Sequence, residues 1–170
     1  RLYDIDRSFC IVNFFNFTLM NFPILSSLII LPTIGALFLL FSKDKDTNTG
    51  KYVALFTSFV NFLISIYLWY LFDPLTSNFQ FIEDREWLKG FVNYKVGIDG
   101  ISILFIILTT FITPLCIISV NNTVKIRLRD FLIAILVMES LMIGVFCSLD
   151  LVIFYLFFEA GLIPMFLIIG

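Results

Sequence analysis

The sequence predicts an all-α protein, a polytopic transmembrane bundle of five helices. Of its 170 residues, 60% are apolar and only 14% are charged, whereas a soluble domain is about half apolar and about a quarter charged. The mean hydropathy is +1.02. Phe alone occurs 22 times, which is more than the core of a soluble domain of this length could bury. The apolar residues also form five runs of about 20 residues, the length of helix that crosses a bilayer core about 30 Å thick.

The five runs predict helices at residues 22–41, 52–72, 97–120, 131–148 and 149–170. The first two runs contain no charged residue, and the third contains only Asp99, near its start. The fourth contains Glu139, and the fifth contains Asp150 and Glu159. Open sheet is excluded because lipid cannot satisfy unpaired backbone groups, and a barrel is excluded because the runs do not alternate in polarity.

The segments between the runs are polar and short. Residues 73–96 are predicted to lie outside the membrane and to contain a short β-hairpin, since Phe79-Gln80-Phe81 alternates in polarity. Asp99 is predicted to cap the third helix, and Asp150 to be an interfacial residue or the N-cap of the fifth. Residues 1–19 are interpreted as an N-terminal extension or upstream sequence, ahead of a membrane domain at 20–170.

The basic residues of the loops predict an orientation. Loops 42–51 and 121–130 together contain six of them: Lys43, Lys45, Lys51, Lys125, Arg127 and Arg129. The opposite side contains Arg85, Lys89 and Lys95, if residues 1–19 are set aside with their Arg1 and Arg7. By the positive-inside rule the two loops are expected to face the cytoplasm or the matrix.

The composition also excludes several functions. The net charge is −2 and is not concentrated in a basic patch, so nucleic acid is not an expected partner. The chain has no His, and its three Cys residues have no CxxC spacing. A metal site or redox centre held within this chain is therefore not expected.

Polar residues lie at helical spacing within two of the runs. The second contains Thr57, Ser58, Asn61 and Ser65, and the third contains Ser102, Thr109, Thr110 and Thr113. Such stripes usually face other helices, where hydroxyl and amide groups can form hydrogen bonds. We interpret them as packing surfaces, and the alternative is the wall of a hydrated path.

Glu139 and Glu159 are the candidate functional residues. Glu139 precedes Ser148 by nine residues, and Glu159 follows Leu149 by ten. At about 1.5 Å per residue, each lies roughly 14–15 Å from the turn between the last two helices, near the bilayer midplane. Inserting an acidic residue at this depth costs free energy, so such residues are taken to be functional by default. A proton relay is therefore the first hypothesis. The alternative is a neutral carboxyl that only supports packing. This alternative is stronger for Glu139 than for Glu159.

Several stretches resemble one family closely. Residues 97–102 (Gly-Ile-Asp-Gly-Ile-Ser), 108–111 with Pro114, 141–146 and 150–170 resemble the third to fifth spans of subunit 4 (chain M) of proton-pumping NADH:quinone oxidoreductase, respiratory complex I. The stretches 72–74 and 79–81 resemble the loop before the third of these spans. The resemblance extends from about Met20 to Gly170.

The resemblance implies a fold and a function. The chain would be the N-terminal part, about the first third, of an antiporter-like membrane subunit that translocates protons. Other subunits would use NADH, FMN, iron–sulfur clusters and quinone, and this chain would bind no cofactor. Glu159 matches the family's key glutamate, whose partner is a lysine of a later helix, and Glu139 matches an acid of the preceding helix. Other membrane subunits and the lipid bilayer are the expected partners, in the bacterial plasma membrane or the mitochondrial inner membrane.

Two other classes of protein remain as alternatives. One is a structural or assembly membrane protein whose acidic residues only pack. The other is a subunit of a related cation/proton antiporter. The strings at 97–100 (Gly-Ile-Asp-Gly) and 158–165 (Phe-Glu-Ala-Gly-Leu-Ile-Pro-Met) favour complex I over that antiporter.

Overall fold

The computed structural model describes residues 23–41, 47–76, 78–88, 92–120 and 128–169. Within these ranges the chain forms five long helices: α1 (Ile24–Phe41), α2 (Thr47–Leu71), α3 (Gly100–Ser119), α4 (Leu128–Cys147) and α5 (Leu151–Ile169). Two strands, β1 (Gln80–Leu88) and β2 (Val92–Ile98), lie between α2 and α3. All five helices are long and apolar enough to cross a membrane. The predicted all-α membrane bundle and its short hairpin are confirmed, and residues 1–19 lie outside the described residues.

Three helices begin three or more residues away from the predicted position: α2, α3 and α4, the last of which begins at Leu128 rather than at residue 131. Gly97 and Ile98, predicted to open the third span, belong to β2, and the helix begins only after Asp99. Hydropathy could not separate them from the helix because a buried strand and a membrane helix are both apolar. α2, the helix before the hairpin, begins at Thr47 rather than at residue 52. It therefore includes polar residues that were predicted to lie in the loop, among them Lys51.

α4 lies at the centre of the bundle. It packs against α1, α2, α3 and α5. Its buried face includes Leu132, Leu136 and Ile143, which have almost no exposed surface. By contrast α5 packs mainly on α4 and also contacts β2, and only Ile153 and Pro164 of α5 are buried. The outer face of α5 is therefore left uncovered by the described residues.

The β-hairpin closes one end of the bundle. β1 and β2 pair antiparallel. The backbone N–H of Leu149 donates to the carbonyl oxygen of Lys95 at 3.0 Å, in the turn that joins α4 to α5. Glu83 of β1 reaches the start of α1, where its Oε1 accepts from the backbone N–H of Leu25 at 2.9 Å. A carboxylate is favourable there because the first N–H groups of a helix have no partner within it.

The opposite end of the bundle joins α1 to α4. The Arg129 side chain, at the start of α4, donates from Nε to the carbonyl oxygen of Leu39 at 2.8 Å. Cationic donors suit this position because the last carbonyls of a helix are unpaired. The described helix ends that bound the two predicted basic loops thus lie at one end of the bundle, opposite the hairpin. Lys43, Lys45, Lys125 and Arg127 lie outside the described residues, so the orientation in the membrane stays a prediction.

Candidate functional site

Glu139 lies in the interior of the bundle, on the face of α4 that packs against α2. Its side chain is only 2% exposed. The next residue, Ser140, is also buried and donates from Oγ to the carbonyl oxygen of Ile29 on α1. Two polar residues in succession on α4 thus face different neighbouring helices, as the angle of about 100° between successive helical residues requires.

Asn61 of α2 is the hydrogen-bond partner of Glu139. Its Nδ2 donates to Oε1 of the glutamate at 2.9 Å, and Asn61 itself is fully buried. Ser58 and Ser65 lie one turn to either side of Asn61 and are equally buried. The polar stripe of α2 therefore faces the bundle, in agreement with the packing interpretation of the sequence.

The same stripe joins α2 to α3. The hydroxyls of Ser65 and Thr110 lie 2.7 Å apart and share a hydrogen bond. Both hydroxyls also donate within their own helices when not used across the interface, Ser65 to Phe62 and Thr110 to Ile106. The hydroxyls of these two residues are thus hydrogen-bonded to each other. The unused hydrogen-bonding capacity lies at Asn61 of the stripe and at its partner Glu139 on α4.

Two atoms of that pair have no hydrogen-bond partner among the described residues. They are Oδ1 of Asn61 and Oε2 of Glu139, and both are buried. Buried polar atoms are normally paired, so an exception is informative. The sequence places Asn61 on a polar stripe, but the spacing alone does not predict its contact with Glu139. The signal that could have found it is an amide in the middle of a long apolar run.

Glu159 lies in different surroundings. Its side chain is exposed on α5, and no hydrogen bond or ion pair involves it among the residues that the structure describes. Neighbouring side chains on the uncovered face are large and apolar, among them Tyr155, Leu162, Ile163 and Phe166. A single carboxyl thus stands on an apolar surface long enough to cross a bilayer.

The two glutamates lie at similar depth but do not bond to each other. Glu139 precedes the last residue of α4 by eight positions, and Glu159 follows the first residue of α5 by eight. At about 1.5 Å per residue, both lie roughly 12 Å from the turn between the helices. Within the described residues, however, Glu139 bonds to Asn61 and Glu159 is directed away from the bundle core.

The two remaining acidic residues of the prediction are helix caps. Asp99 accepts the backbone N–H of Ser102 at 2.7 Å, as the N-cap of α3. Hydrogen bonds from the Ser102 side chain and backbone hold the pKa of Asp99 below its ordinary value of 3.8. Asp150 accepts the N–H of Val152 at 2.7 Å, at the start of α5. In the described part of the chain, no group of three or more His, Cys, Asp or Glu residues could hold a metal ion.

Comparison with known proteins identifies the family, although no family model matches the chain. Residues of this chain are 58% identical over 125 positions to the NADH-quinone oxidoreductase subunit M of Rhodobacter capsulatus. They are 46% identical over 147 positions to the NADH-ubiquinone oxidoreductase chain 4 of Marchantia polymorpha. The chain belongs to this subunit 4/M family. The subunit M of Rickettsia prowazekii is 42% identical over 156 positions, which is 89% of this chain.

The match covers most of this chain but a minor part of each relative. It includes 86% of the chain and 30% of the Marchantia protein, and 74% of the chain and 24% of the Rhodobacter protein. The chain therefore spans less than a third of these relatives' length. The resemblance read from the sequence is confirmed, and with five membrane-length helices this member of the subunit 4/M family is an integral membrane protein.

Proposed function

We propose that this chain is part of a proton-translocating membrane subunit of NADH:quinone oxidoreductase, in which Glu159 carries protons and Glu139 is a weaker partner. The observation that supports it most is the carboxyl of Glu159, exposed on an apolar face of α5 about midway along the helix. An ionised carboxyl facing lipid at this depth costs roughly 2.5–3.5 kcal/mol on insertion scales. Such a group is retained for a task or for a partner that neutralises it.

The uncovered face of α5 indicates where that partner would come from. Since the described helices leave this face open, further helices of a longer subunit, or another membrane subunit, would pack against Glu159. The family resemblance suggests a lysine on one of those helices. A carboxyl next to a lysine can release and rebind a proton as the distance between them changes, because each charge stabilises the other. This is the chemistry that a relay requires.

Glu139 would act at the same depth, on the neighbouring helix. It is enclosed by the bundle, and its one described partner is the neutral amide of Asn61. A proton reaching Glu139 must therefore pass through packed helices, whereas Glu159 lies on a surface. For this reason we assign Glu139 the weaker role.

The redox steps would take place elsewhere in the assembly. In this proposal other subunits bind NADH, FMN, the iron–sulfur clusters and quinone, and this chain contributes only intramembrane carboxyls. The other membrane subunits of the complex and the lipid bilayer would be its partners. The location would be the bacterial plasma (inner) membrane or the mitochondrial inner membrane.

The test is Glu159→Gln in the full-length subunit within the assembled complex. Gln retains the shape and hydrogen-bonding capacity of Glu but cannot ionise, so proton uptake into vesicles per NADH oxidised should fall severalfold while assembly on a native gel is preserved. Quinone reduction should fall too if the steps are tightly coupled. Glu139→Gln should have a smaller effect, and Tyr155→Phe, one turn before Glu159 on α5, is the matched control with unchanged pumping.

The same experiment separates the alternatives. Wild-type pumping by Glu159→Gln would assign this residue a structural role, as in a scaffold or assembly protein. A cation/proton antiporter would show proton exchange that depends on a cation gradient and not on NADH. Reading the coding sequence downstream of Gly170 adds an independent check, because the pump hypothesis expects later spans that include a mid-span lysine.

A further inference from the structure

We propose that Asn61 is a positioning residue for Glu139, and that the two side chains form a reciprocal amide–acid pair that holds one proton on the carboxyl. The pair connects α2 to α4 in the centre of the bundle. Its existence stands on the geometry of these two residues alone. Its part in proton transfer rests on the proposed function.

The hydrogen-bonding inventory of the two side chains leads to this conclusion. An amide offers two N–H donors and a carbonyl acceptor, while an ionised carboxylate only accepts. One amide hydrogen is used, in the 2.9 Å contact from Nδ2 to Oε1 of Glu139. The atoms left over, Oδ1 and Oε2, are both acceptors and are both buried without a partner. Two acceptors cannot satisfy each other, and both would remain unpaired if Glu139 were ionised.

A single proton removes the mismatch. When Oε2 is protonated it becomes a donor, and the unpaired acceptor of its bonded neighbour is the amide oxygen of Asn61. A carboxylic acid and a primary amide each present a donor beside an acceptor, so they can bond reciprocally, Nδ2–H to Oε1 and Oε2–H to Oδ1. Both buried atoms are then paired, as buried polar groups in proteins normally are.

No cation on the five described helices is placed to neutralise Glu139 instead, and Lys95 of β2, which packs against α4, pairs with Asp84 at 3.7 Å. α1 and α3 contain no charged side chain. The basic residues of the other packed helices are Lys51 on α2 and Arg129 on α4, each ten residues along its helix from Asn61 or Glu139. That spacing corresponds to about 15 Å. The other ionisable side chains on these helices are acidic or uncharged in their usual state: Tyr52, Tyr67, Tyr70, Cys116, Asp130, Cys147, Tyr155 and Glu159.

The pair would govern how Glu139 exchanges its proton. Release of the proton breaks the bond from Oε2 to Oδ1, but the bond from Nδ2 to Oε1 is kept and stabilises the carboxylate. Asn61 would thus hold the carboxyl in one orientation in both protonation states. Glu139→Gln would keep the same pair without an added proton, because the new side-chain NH₂ group can donate to Oδ1 of Asn61.

Infrared difference spectroscopy of the assembled complex at neutral pH tests the proposal. The wild-type spectrum minus that of Glu139→Gln should contain the C=O stretching band of a protonated carboxylic acid. In Asn61→Leu that band should shift, since the acid loses its amide partner. If the leucine variant does not assemble, Asn61→Ser serves instead and should show the same shift. Ser65→Ala, on the same stripe of α2, should leave the band in place. The pair would be overturned if Glu139→Gln removed only carboxylate bands and no carboxylic acid band. It would also be overturned if the acid band stayed in place in both Asn61 variants.

A stability cycle gives a second measurement. Asn61→Leu and Glu139→Leu should each reduce the amount of assembled complex, because each leaves buried polar atoms without a partner. The double variant should recover part of that loss. An amount of complex in the double variant equal to the product of the two single-variant fractions would contradict the pair. The outcomes separate this proposal from the proposed function: an acid band with normal pumping by Glu139→Gln supports the pair and refutes the relay role. Impaired pumping without an acid band does the reverse.

Discussion

At the scale of single residues, the carboxyl groups of this chain differ in role because their surroundings differ. Glu83, Asp99 and Asp150 each accept hydrogen bonds from backbone N–H groups at the start of a helix. Glu139 is enclosed by packed helices and bonds to an amide. Glu159 is exposed on an apolar face. The first three stabilise helix ends, and only the last two lie at a depth where a carboxyl could carry protons between membrane faces.

Asp99 provides the residue-scale prediction. Asp99→Ala should destabilise the subunit by about 0.5–2 kcal/mol, because the N–H of Ser102 loses its acceptor, whereas Asp99→Asn should have little effect since Asn caps as well as Asp. The pKa of Asp99 is held below 3.8, so the charged cap stabilises the fold above that pH. Its contribution is lost as the pH falls through the lowered value.

Thermal unfolding of the purified full-length subunit in detergent measures both effects. The wild-type and Asp99→Ala curves should be separated at neutral pH and should approach each other at a pH well below 3.8. Asp99→Asn should change little with pH in this range because its side chain does not titrate. Equal stability of the wild type and the Ala variant at neutral pH would show that the cap contributes nothing.

Asn61 marks the limit of what could be predicted for the site. Its position on a polar stripe was evident from the spacing with Ser58 and Ser65, and so was the depth of Glu139. That the two meet depends on the contact between α2 and α4, which are separated along the chain by the hairpin and α3. Hydropathy gives the length and depth of each helix, but it does not determine which faces of distant helices come together.

At the scale of elements, the helices were predictable and the hairpin only in outline. A bilayer requires about 20 apolar residues in a helix, so the five runs could be read directly. Gly97 and Ile98, at the end of β2, were predicted to open the third helix because they adjoin its apolar run, and Ile98 is buried as a helix residue would be. The docking of Glu83 onto α1 was also missed, since a carboxylate in a predicted loop gives no sign of the helix end that it reaches.

The contact between α1 and α2 gives a prediction at this scale. A Cβ at Gly35 would lie 2.7 Å from Cγ2 of Thr57. Thr57 cannot move away easily, because it is β-branched and its hydroxyl donates to the carbonyl of Val53 at 2.8 Å. Gly35→Ala should therefore cost about 1–3 kcal/mol of overpacking, partly offset by about 1 kcal/mol of helix propensity.

Gly50→Ala is the matched control for that variant. A Cβ there would meet Leu39 at 3.6 Å, an ordinary van der Waals distance, so the gain in helix propensity should not be opposed. Unfolding of the subunit in a denaturing detergent should thus order the proteins as Gly50→Ala, wild type and Gly35→Ala, from most to least stable. A stability of Gly35→Ala equal to that of Gly50→Ala would mean that α1 and α2 separate freely at this point.

At the scale of the whole molecule, the two ends of the bundle differ in construction. One end is closed by the β-hairpin, which contacts the start of α1 and the turn between α4 and α5. At the other end Arg129 binds the last turn of α1, and the sequence next to the helix ends there contains six basic residues, against three in the segment that includes the hairpin. Because basic loops are retained on the cytoplasmic or matrix side, this asymmetry predicts that the hairpin faces the opposite compartment.

Cysteine labelling tests that orientation. In a full-length subunit whose native Cys10, Cys116 and Cys147 are replaced by Ala, Asp46→Cys probes the first basic loop and Asn78→Cys probes the exposed segment before β1. In sealed vesicles of known sidedness, a membrane-impermeant maleimide should label only one of the two from outside. In vesicles with the cytoplasmic or matrix face inward, position 78 should react at once and position 46 only after permeabilisation. Labelling of both positions from one side would contradict a bundle whose hairpin and basic loops lie at opposite ends, and the reverse order of labelling would refute the orientation inferred from the charges.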